Sequence, residues 1–404
     1  MLRLVSVGVD IRPVLTQGDV GAFIELPFGL YAGEPRWIPP LRLERRMFLS
    51  RRFNAFFREG EARLFLAWRG ERVVGRISAH VDHPFNNFHG RRWGMFGFIE
   101  LEDDPEVLDA LLGAAEEWLR ARGCDRMVGP MSYTMNDECG VLLEGFEHPP
   151  VIRTPWQAPY LHRLCNDALE KAMDLLMWEI RLDDRNETQP VIEQLANDAE
   201  SKHGVRLRRM SRRTLRADFD RFAEVYNAAW SANWDFRPYT AQDLDHLAQE
   251  MQLVFQRDWF MIAEKDGETA AAGISIPDIN QVLARMGGRI LPTGWWHFLR
   301  KRQIINRVRI GFLGVKPEFQ HTGIAAKLYI EHFETSKKLG GITGEAGWIL
   351  ETNIGLNRAM EALHGRVIKR FRIYERRFSN DTTPAFPKDA RTWSPPNAAD
   401  TPAS

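Results

Sequence analysis

The same order of secondary-structure elements is predicted twice in this 404-residue chain, with matching elements roughly 200 residues apart. Each copy has the pattern of a β-hairpin, a strand, an amphipathic helix that ends at glycine, and a further strand. The first copy comprises Ala62–Asp82, Trp93–Glu102, Pro105–Gly123 and a strand from Arg126. The second comprises Asp258–Asp278, Arg307–Pro317, Gly323–Gly341 and Ala346–Asn353. A period this long does not fit a solenoid and predicts two related domains in tandem.

The limits of the two domains follow from composition. A polar stretch, Leu182–Arg185, follows the apolar run MDLLMWEI, so we predict one domain over residues 1–184 and a second over 185–378. Residues 379–404 are rich in Pro, Ala, Thr and Asp without an apolar period, which predicts a disordered tail.

Composition excludes several classes of protein. Lys and Arg number 54, as do Asp and Glu, so the formal net charge is zero, which argues against a nucleic-acid partner. No apolar run is long enough for a membrane span, and Arg3 followed by Asp10 does not resemble a signal peptide. Three cysteines without a CxxC pair fit a reducing compartment. We therefore expect a cytoplasmic protein.

One junction between a predicted strand and a predicted helix suggests anion binding. The segment Gln320–Ala325 precedes a helix whose first N–H groups and positive dipole end suit a phosphate. Gly323 and Ala325 lack bulk, so the backbone can approach a ligand closely. The matching junction of the first half carries three acids, residues 102–104, which would repel a pyrophosphate. Only the second half is therefore predicted to contain a phosphate loop.

The residues at this junction resemble the signature of the GNAT acetyltransferases. The pattern Gln320-x-x-Gly323-x-Ala325 follows Val315–Glu318, a Val-x-Pro-Glu lead-in that is typical of the family. Downstream, residues 348–353 resemble the next strand of that fold, which ends in Asn, and a helix and a return strand follow.

The resemblance rests on motifs from Val205 to Phe378 and only on the order of elements in the first half. It implies an α/β (α+β) fold with two GNAT-like domains in tandem, each a mixed, mostly antiparallel sheet flanked by helices. The first of these would be a degenerate copy. Residues 136–164 also resemble a bacterial group of two-domain GNAT-like proteins without an assigned substrate.

The family resemblance implies acetyl-CoA, or another acyl-CoA, as co-substrate and no metal. The pyrophosphate would rest on N–H groups of the loop, and the pantetheine arm would lie beside the preceding strand. A strand N–H would polarise the thioester carbonyl for direct attack by an amine. The implied cofactor-binding residues are Leu313, Gly314, Val315, Gln320, His321, Thr322, Gly323, Ile324, Ala325 and Asn353.

The sequence constrains the general acid and the general base of this reaction less than the cofactor site. Glu351 is a base or a substrate contact, or else a strand residue with a structural partner. Many family members carry a tyrosine in the helix after the Asn, but this chain has Met360, which cannot donate a proton. Tyr374, His321 and His364 are possible substitutes, although strand packing explains Tyr374 equally well.

The acceptor site is expected in the segment between the first two helices of the second half. Trp234 and Asp235 lie there among aromatic residues, a pattern that suits an amine or a flat cationic group. Packing between two helices is the alternative reading of the same tryptophans. The acceptor would be a small-molecule or peptide amine.

Three functions fit these features. The first is an acyl-CoA-dependent N-acyltransferase, most simply an N-acetyltransferase. The second is a non-catalytic acyl-CoA-binding protein, which the missing tyrosine favours. The third is an aminoacyl transferase of the tandem-GNAT type, which the presence of a good pyrophosphate loop disfavours.

Overall fold

A computed structural model describes residues 8–182, 189–231, 233–234 and 236–379. Its strands are β1 Asp10–Pro13, β2 Gly60–Arg69, β3 Arg72–Asp82, β4 Trp93–Leu101, β5 Arg126–Gly129, β6 Val141–Glu144, β7 Glu170–Leu182, β8 Arg206–Arg209, β9 Phe260–Lys265, β10 Glu268–Pro277, β11 Arg307–Val315, β12 Ile342–Leu350 and β13 Arg366–Arg377. Its α-helices are α1 Gln17–Leu30, α2 Arg42–Phe48, α3 His83–His89, α4 Pro105–Arg120, α5 Pro159–Ala168, α6 Pro190–Ser201, α7 Leu215–Trp230, α8 Ala241–Val254, α9 Asn280–Leu283, α10 Gly294–Leu299, α11 Lys301–Ile304, α12 Ile324–Lys338 and α13 Ile354–Ala362. Short 3-10 turns cover Ala55–Arg58, Arg257–Trp259 and Pro317–Thr322.

All the described strands belong to one continuous sheet. The order is β1-β2-β3-β4-β5-β13-β7-β12-β11-β10-β9-β8, with β6 paired beside β13. The pairs β4–β5 and β11–β12 are parallel, and the other pairs are antiparallel. Helices flank this sheet, so the predicted mixed, mostly antiparallel α/β fold is confirmed.

The predicted repeat is present and is longer than the sequence pattern showed. With α3 and α9–α11 left aside, the order β1-α1-α2-β2-β3-β4-α4-β5 in the first half matches β8-α7-α8-β9-β10-β11-α12-β12 in the second. Strand β12 begins at Ile342, four residues before the predicted start, because β-branched Ile342 and Thr343 follow Gly341 and pair with β7. Asp266 and Gly267, both with positive φ, form the two-residue turn between β9 and β10.

The last of the described strands lies between the two halves. Strand β13 pairs with β5 on one side and with β7 on the other, and β7 pairs in turn with β12. The Arg126 guanidinium on β5 is 3.3 Å from the Glu375 carboxylate on β13, and both side chains are buried. The return strand that was predicted for the second half therefore also completes the sheet of the first half.

Some predictions concern residues that are not described. The predicted boundary at residue 184 and the predicted tail beyond Ser379 lie outside the described residues. None of the helices in the described ranges has both the length and the apolar character that crossing a bilayer requires.

Candidate functional site

The predicted phosphate loop begins with the 3-10 turn Pro317–Thr322 and enters α12 through Gly323. Gly323 has φ +74°, a left-handed conformation that glycine adopts without strain. The Thr322 hydroxyl donates to the Phe319 carbonyl oxygen at 2.6 Å and braces the turn. Among the described residues no side chain caps α12, so the N–H groups of residues 324–326 have neither a side-chain cap nor an acceptor within the helix, whereas the Lys327 N–H donates to the Gly323 carbonyl oxygen at 3.1 Å. This arrangement suits a phosphate group.

Helix α6 supports the loop from behind. A Cβ placed on Gly323 would lie 2.3 Å from the Leu195 carbonyl oxygen, so a larger residue at Gly323 would displace α6. Lys327 of α12 forms an ion pair with Glu200 of α6 at 3.0 Å. Ala325, by contrast, is half-buried in the first turn of α12, at the edge of an apolar cluster that includes Ala199 of α6.

Strands β11 and β12 form a cleft beyond their paired section. Their parallel pairing ends at Ile310 and Ala346 within the described residues, and the register of β12 against β7 shifts just after Ala346. The space between the strands is a cavity of about 70 Å³, here named the donor cleft. Its walls are mostly apolar. They include Gly311, Leu313, Tyr329, His332, Gly347, Trp348 and Met360.

A second cavity of about 140 Å³, here named the acceptor cavity, adjoins the donor cleft. Its lining includes Asn136, Arg153, Tyr226, Trp230, Asn233, Trp234, Arg309, Gly311, Phe312, Gly347 and Trp348. Trp230, Gly311, Gly347 and Trp348 line both cavities. Two of these shared residues are glycines, so no side chain from either position separates the cavities.

Arg309 connects the acceptor cavity to the first half of the chain. Its Nη1 donates to the carbonyl oxygens of Ile152 at 2.9 Å and Arg153 at 3.1 Å, and its Nε donates to the Gly347 carbonyl oxygen at 3.2 Å. The guanidinium also lies over the Trp348 ring, 4.7 Å from its centroid. Burial lowers the pKa of Arg309 to about 10, so the group stays charged at neutral pH.

Glu351 is occupied by structural contacts. Its carboxylate accepts from the Lys171 ammonium at 2.8 Å and from the Asp174 backbone N–H at 3.0 Å, and only 5% of the residue is exposed. These bonds tie the end of β12 to β7. Glu351 lines neither of the two cavities, so the structure provides the structural partner that was the alternative to a base.

Tyr374 and Asn353 also have structural contacts. Tyr374 is fully buried in the apolar core of the first half, and its hydroxyl lies 3.0 Å from His162 Nδ1. It lines neither cavity. The Asn353 side chain caps α13 by accepting from the Leu356 N–H at 3.1 Å.

The remaining predicted residues are divided between cavity, core and surface. Leu313 lines the donor cleft, whereas Gly314 packs so closely on Trp230 that a Cβ would lie 2.2 Å from its ring. Val315, Thr322 and Ile324 are buried, while Gln320 and His321 are exposed. Trp234 lines the acceptor cavity. Asp235 lies outside the described residues.

The matching cleft of the first half is closed. The Met131 N–H donates to the Phe96 carbonyl oxygen at 2.8 Å, which keeps the chain after β5 against β4. A Cβ on Gly97 would lie 1.7 Å from the Met131 carbonyl oxygen, so the two backbones are in direct contact. Asp104 caps α4 by accepting from the Glu106 N–H at 2.9 Å. The anion at this helix start is therefore a carboxylate of the chain itself.

Sequence reasoning missed the residues that join the two cavities. Gly311 and Gly347 stand inside strands, and an isolated glycine in a strand signals a close backbone approach, so this signal was available. Arg153 carried no comparable signal, since its place beside Arg309 depends on contacts across the two halves. In the described ranges no group of three or more His, Cys, Asp or Glu side chains is arranged to hold a metal ion.

Known structures define the class of fold. The tandem GNAT protein from the clavulanic acid biosynthesis pathway aligns with a TM-score of 0.55 at 13% identity, covering 91% of this chain and 98% of that chain. At this identity the likeness concerns the fold alone, which is the GNAT acyltransferase fold in tandem. No family model matches the chain.

Two curated proteins are related over nearly their whole length. Protein YghO of Escherichia coli K12 is 32% identical over 388 residues, covering 93% of this chain and 97% of that protein. The bacterial ceramide synthase of Caulobacter vibrioides is 34% identical over 376 residues, covering 91% and 97%. The chain therefore belongs to the same family as these two proteins, and its fold is the tandem GNAT fold.

Proposed function

We propose that this protein is an acyl-CoA-dependent N-acyltransferase whose donor site lies in the second half. The observation that supports this most is the junction of the donor cleft with the acceptor cavity at Gly311 and Gly347. The same strand, β11, leads directly into the uncapped loop at Gly323. A thioester in the cleft would thus have an anion site at one end and an acceptor at the other.

The backbone does most of the proposed binding. The first-turn N–H groups of α12 hold the pyrophosphate. Beyond Ile310, β12 no longer pairs with β11, so alternate residues of β11 direct N–H and C=O groups into the donor cleft. The pantetheine arm hydrogen-bonds to these groups in the way that a neighbouring strand would. One such N–H polarises the thioester carbonyl and stabilises the oxyanion that forms during attack.

The acceptor cavity favours a neutral amine. Its described lining contains two guanidinium groups, Arg153 and Arg309, and no carboxylate or imidazole. Nearby cations disfavour an ammonium and lower its pKa, which leaves the nitrogen lone pair free to attack. The nitrogen forms a C–N bond to the thioester carbon, the C–S bond breaks, and the amine proton passes to solvent. The CoA thiol has a pKa near that of an ordinary thiol, so it can leave as the thiolate without a proton donor at the position of Met360.

The name of one relative bears on both substrates. A ceramide is a long-chain amino alcohol with a fatty acyl group on its nitrogen, and the Caulobacter relative is named a bacterial ceramide synthase. We therefore propose a fatty acyl-CoA as donor, in place of the simpler expectation of acetyl-CoA, and a long-chain amino alcohol as acceptor.

Donor binding is tested by a charge change in the loop. Ala325→Glu places a carboxylate in the first turn of α12, and Ala325→Gln has nearly the same shape without the charge. We expect calorimetric titration with palmitoyl-CoA and acetyl-CoA to show that Ala325→Glu weakens binding by about tenfold or more relative to the wild type. Ala325→Gln should bind nearly as the wild type does.

The result separates the candidate functions. A wild type that binds no acyl-CoA, or equal weakening in both variants, would overturn the donor site. Amide formation from a panel of amines is detected by mass spectrometry. Acyl-CoA binding without any amide product would favour the non-catalytic acyl-CoA-binding protein. A requirement for aminoacyl-tRNA would favour the aminoacyl transferase.

A further inference from the structure

A third and larger cavity, of about 360 Å³, lies between the two halves and is here named the chain cavity. The first half supplies α1, α2, β3, β4 and the segment 150–157, and the second half supplies α8, α9 and α10. Most of the lining side chains are apolar. They include Ile24, Ile38, Leu41, Phe98, Ile152 and Leu283.

The internal repeat relates the chain cavity to the acceptor cavity. The acceptor cavity is bounded by α7, α8, β10, β11 and β12. The elements that match these in the first half are α1, α2, β3, β4 and β5, and the chain cavity is lined by the first four of them and by the residues that follow β5. The first half has therefore lost the donor cleft, which Gly97 and Met131 close, and has kept a cavity on its acceptor side.

The chain cavity and the acceptor cavity adjoin at Arg153, which lines both. Arg153 has φ +61°, a conformation that side-chain-bearing residues rarely adopt and that contacts must hold in place. The neighbouring Ile152 N–H donates to Asp278 Oδ1 at 2.9 Å, and the Ile152 carbonyl oxygen accepts from Arg309. The segment that separates the two cavities is thus fixed to the second half.

Several polar side chains of the chain cavity already have partners within the protein. Arg45 pairs with Glu138 at 3.2 Å. The Tyr31 hydroxyl donates to the Glu100 carboxylate, and Gln157 bonds to backbone groups at 3.1 and 3.4 Å. Most of the lining is aliphatic or aromatic, and a largely apolar cavity of this kind takes an apolar occupant.

We propose that the chain cavity binds the hydrocarbon chain of the amine acceptor, while its amino group lies in the acceptor cavity beside Gly311. This assignment rests on the proposed function. It makes the first half the part of the molecule that selects a long-chain amine. The acyl chain of the donor stays on the side of the donor cleft.

The test narrows the chain cavity from each half. Leu41→Trp adds bulk from the residue that precedes α2, and Leu283→Trp adds bulk from α9. Leu43→Trp is the matched control, because Leu43 lies two residues further on in α2, is 60% exposed and does not line the chain cavity. The acceptors are sphinganine, which has a long chain, and serinol, which has the same amino diol head without the chain.

Each methylene excluded from the cavity should weaken binding about fourfold. We therefore expect Leu41→Trp and Leu283→Trp to lower kcat/KM for sphinganine by about tenfold or more, with serinol unchanged. Leu43→Trp should match the wild type with both acceptors. Equal losses with sphinganine and serinol, or no loss in either cavity variant, would overturn the assignment. A changed dependence on donor chain length with unchanged acceptor preference would also overturn it, by placing the acyl chain in this cavity.

A binding measurement separates failure of the inference from failure of the proposed function. Sphinganine is titrated into wild type and variants in the absence of any acyl-CoA. Weaker binding to both cavity variants supports the chain cavity even if no amide forms, in which case the proposed reaction alone has failed. Equal binding to all four proteins refutes the chain cavity, whatever the activity. Circular dichroism of each variant checks that the fold is intact.

Discussion

Glu100 is a single residue whose burial makes stability depend on pH. It is 9% exposed in the wall of the chain cavity. Burial raises its pKa to about 7 from an ordinary value of 4.5, and the charge of Arg76 and the bond from Tyr31 offset only part of this effect. Between these two pH values the folded protein keeps a proton that the unfolded chain loses, so stability falls as pH rises through this window.

Glu100→Gln should remove this pH dependence. The free energy of unfolding of the variant minus that of the wild type should increase by up to about 3 kcal/mol between pH 4.5 and pH 8, because only the wild type loses stability in this range. Urea unfolding across this pH range measures it. Glu71→Gln, at an exposed turn position, is the control and should follow the wild type. Parallel pH curves for Glu100→Gln and wild type would contradict the assignment of the raised pKa.

At the scale of elements, the closed pairing of β4 with the chain after β5 depends on Gly97. Gly97→Ala should destabilise the protein by about 3 kcal/mol or more, because the Met131 carbonyl would have to move away from the new methyl group. Gly113→Ala, inside α4 with open space around its Cα, should stabilise by about 0.5–1 kcal/mol. Denaturant unfolding measures both, and a Gly97→Ala variant as stable as the wild type would refute the close contact.

Elements with a local signal were predictable, and contacts between distant segments were not. Hairpins and amphipathic helices appear in the sequence because turn residues and apolar periods are local. The loop at Gly323 was found for the same reason. Glu351 lies beside Lys171, and Tyr374 lies in the core of the first half. Both positions follow from the pairing of β13 with β7. That pairing joins strands far apart along the chain, and no local pattern specifies it.

At the scale of the whole molecule, β13 should be necessary for both halves. Deletion of residues 366–404 would leave β5 and β7 without their neighbour and expose two strand edges, of which that of β7 is 13 residues long. We expect that variant to be insoluble or to unfold without a cooperative transition. Deletion of residues 380–404, which keeps β13, should leave the melting transition unchanged. A soluble 1–365 chain with a single cooperative transition would show that β13 is dispensable.

The position of β13 also has a consequence for synthesis. The buried pair of Arg126 and Glu375 joins residues that are 249 positions apart, so the strand that carries Glu375 is made long after β5. Domains commonly fold one after another as they leave the ribosome. In this protein the half that is translated first waits for β13, so its sheet is completed only after the second half has been made.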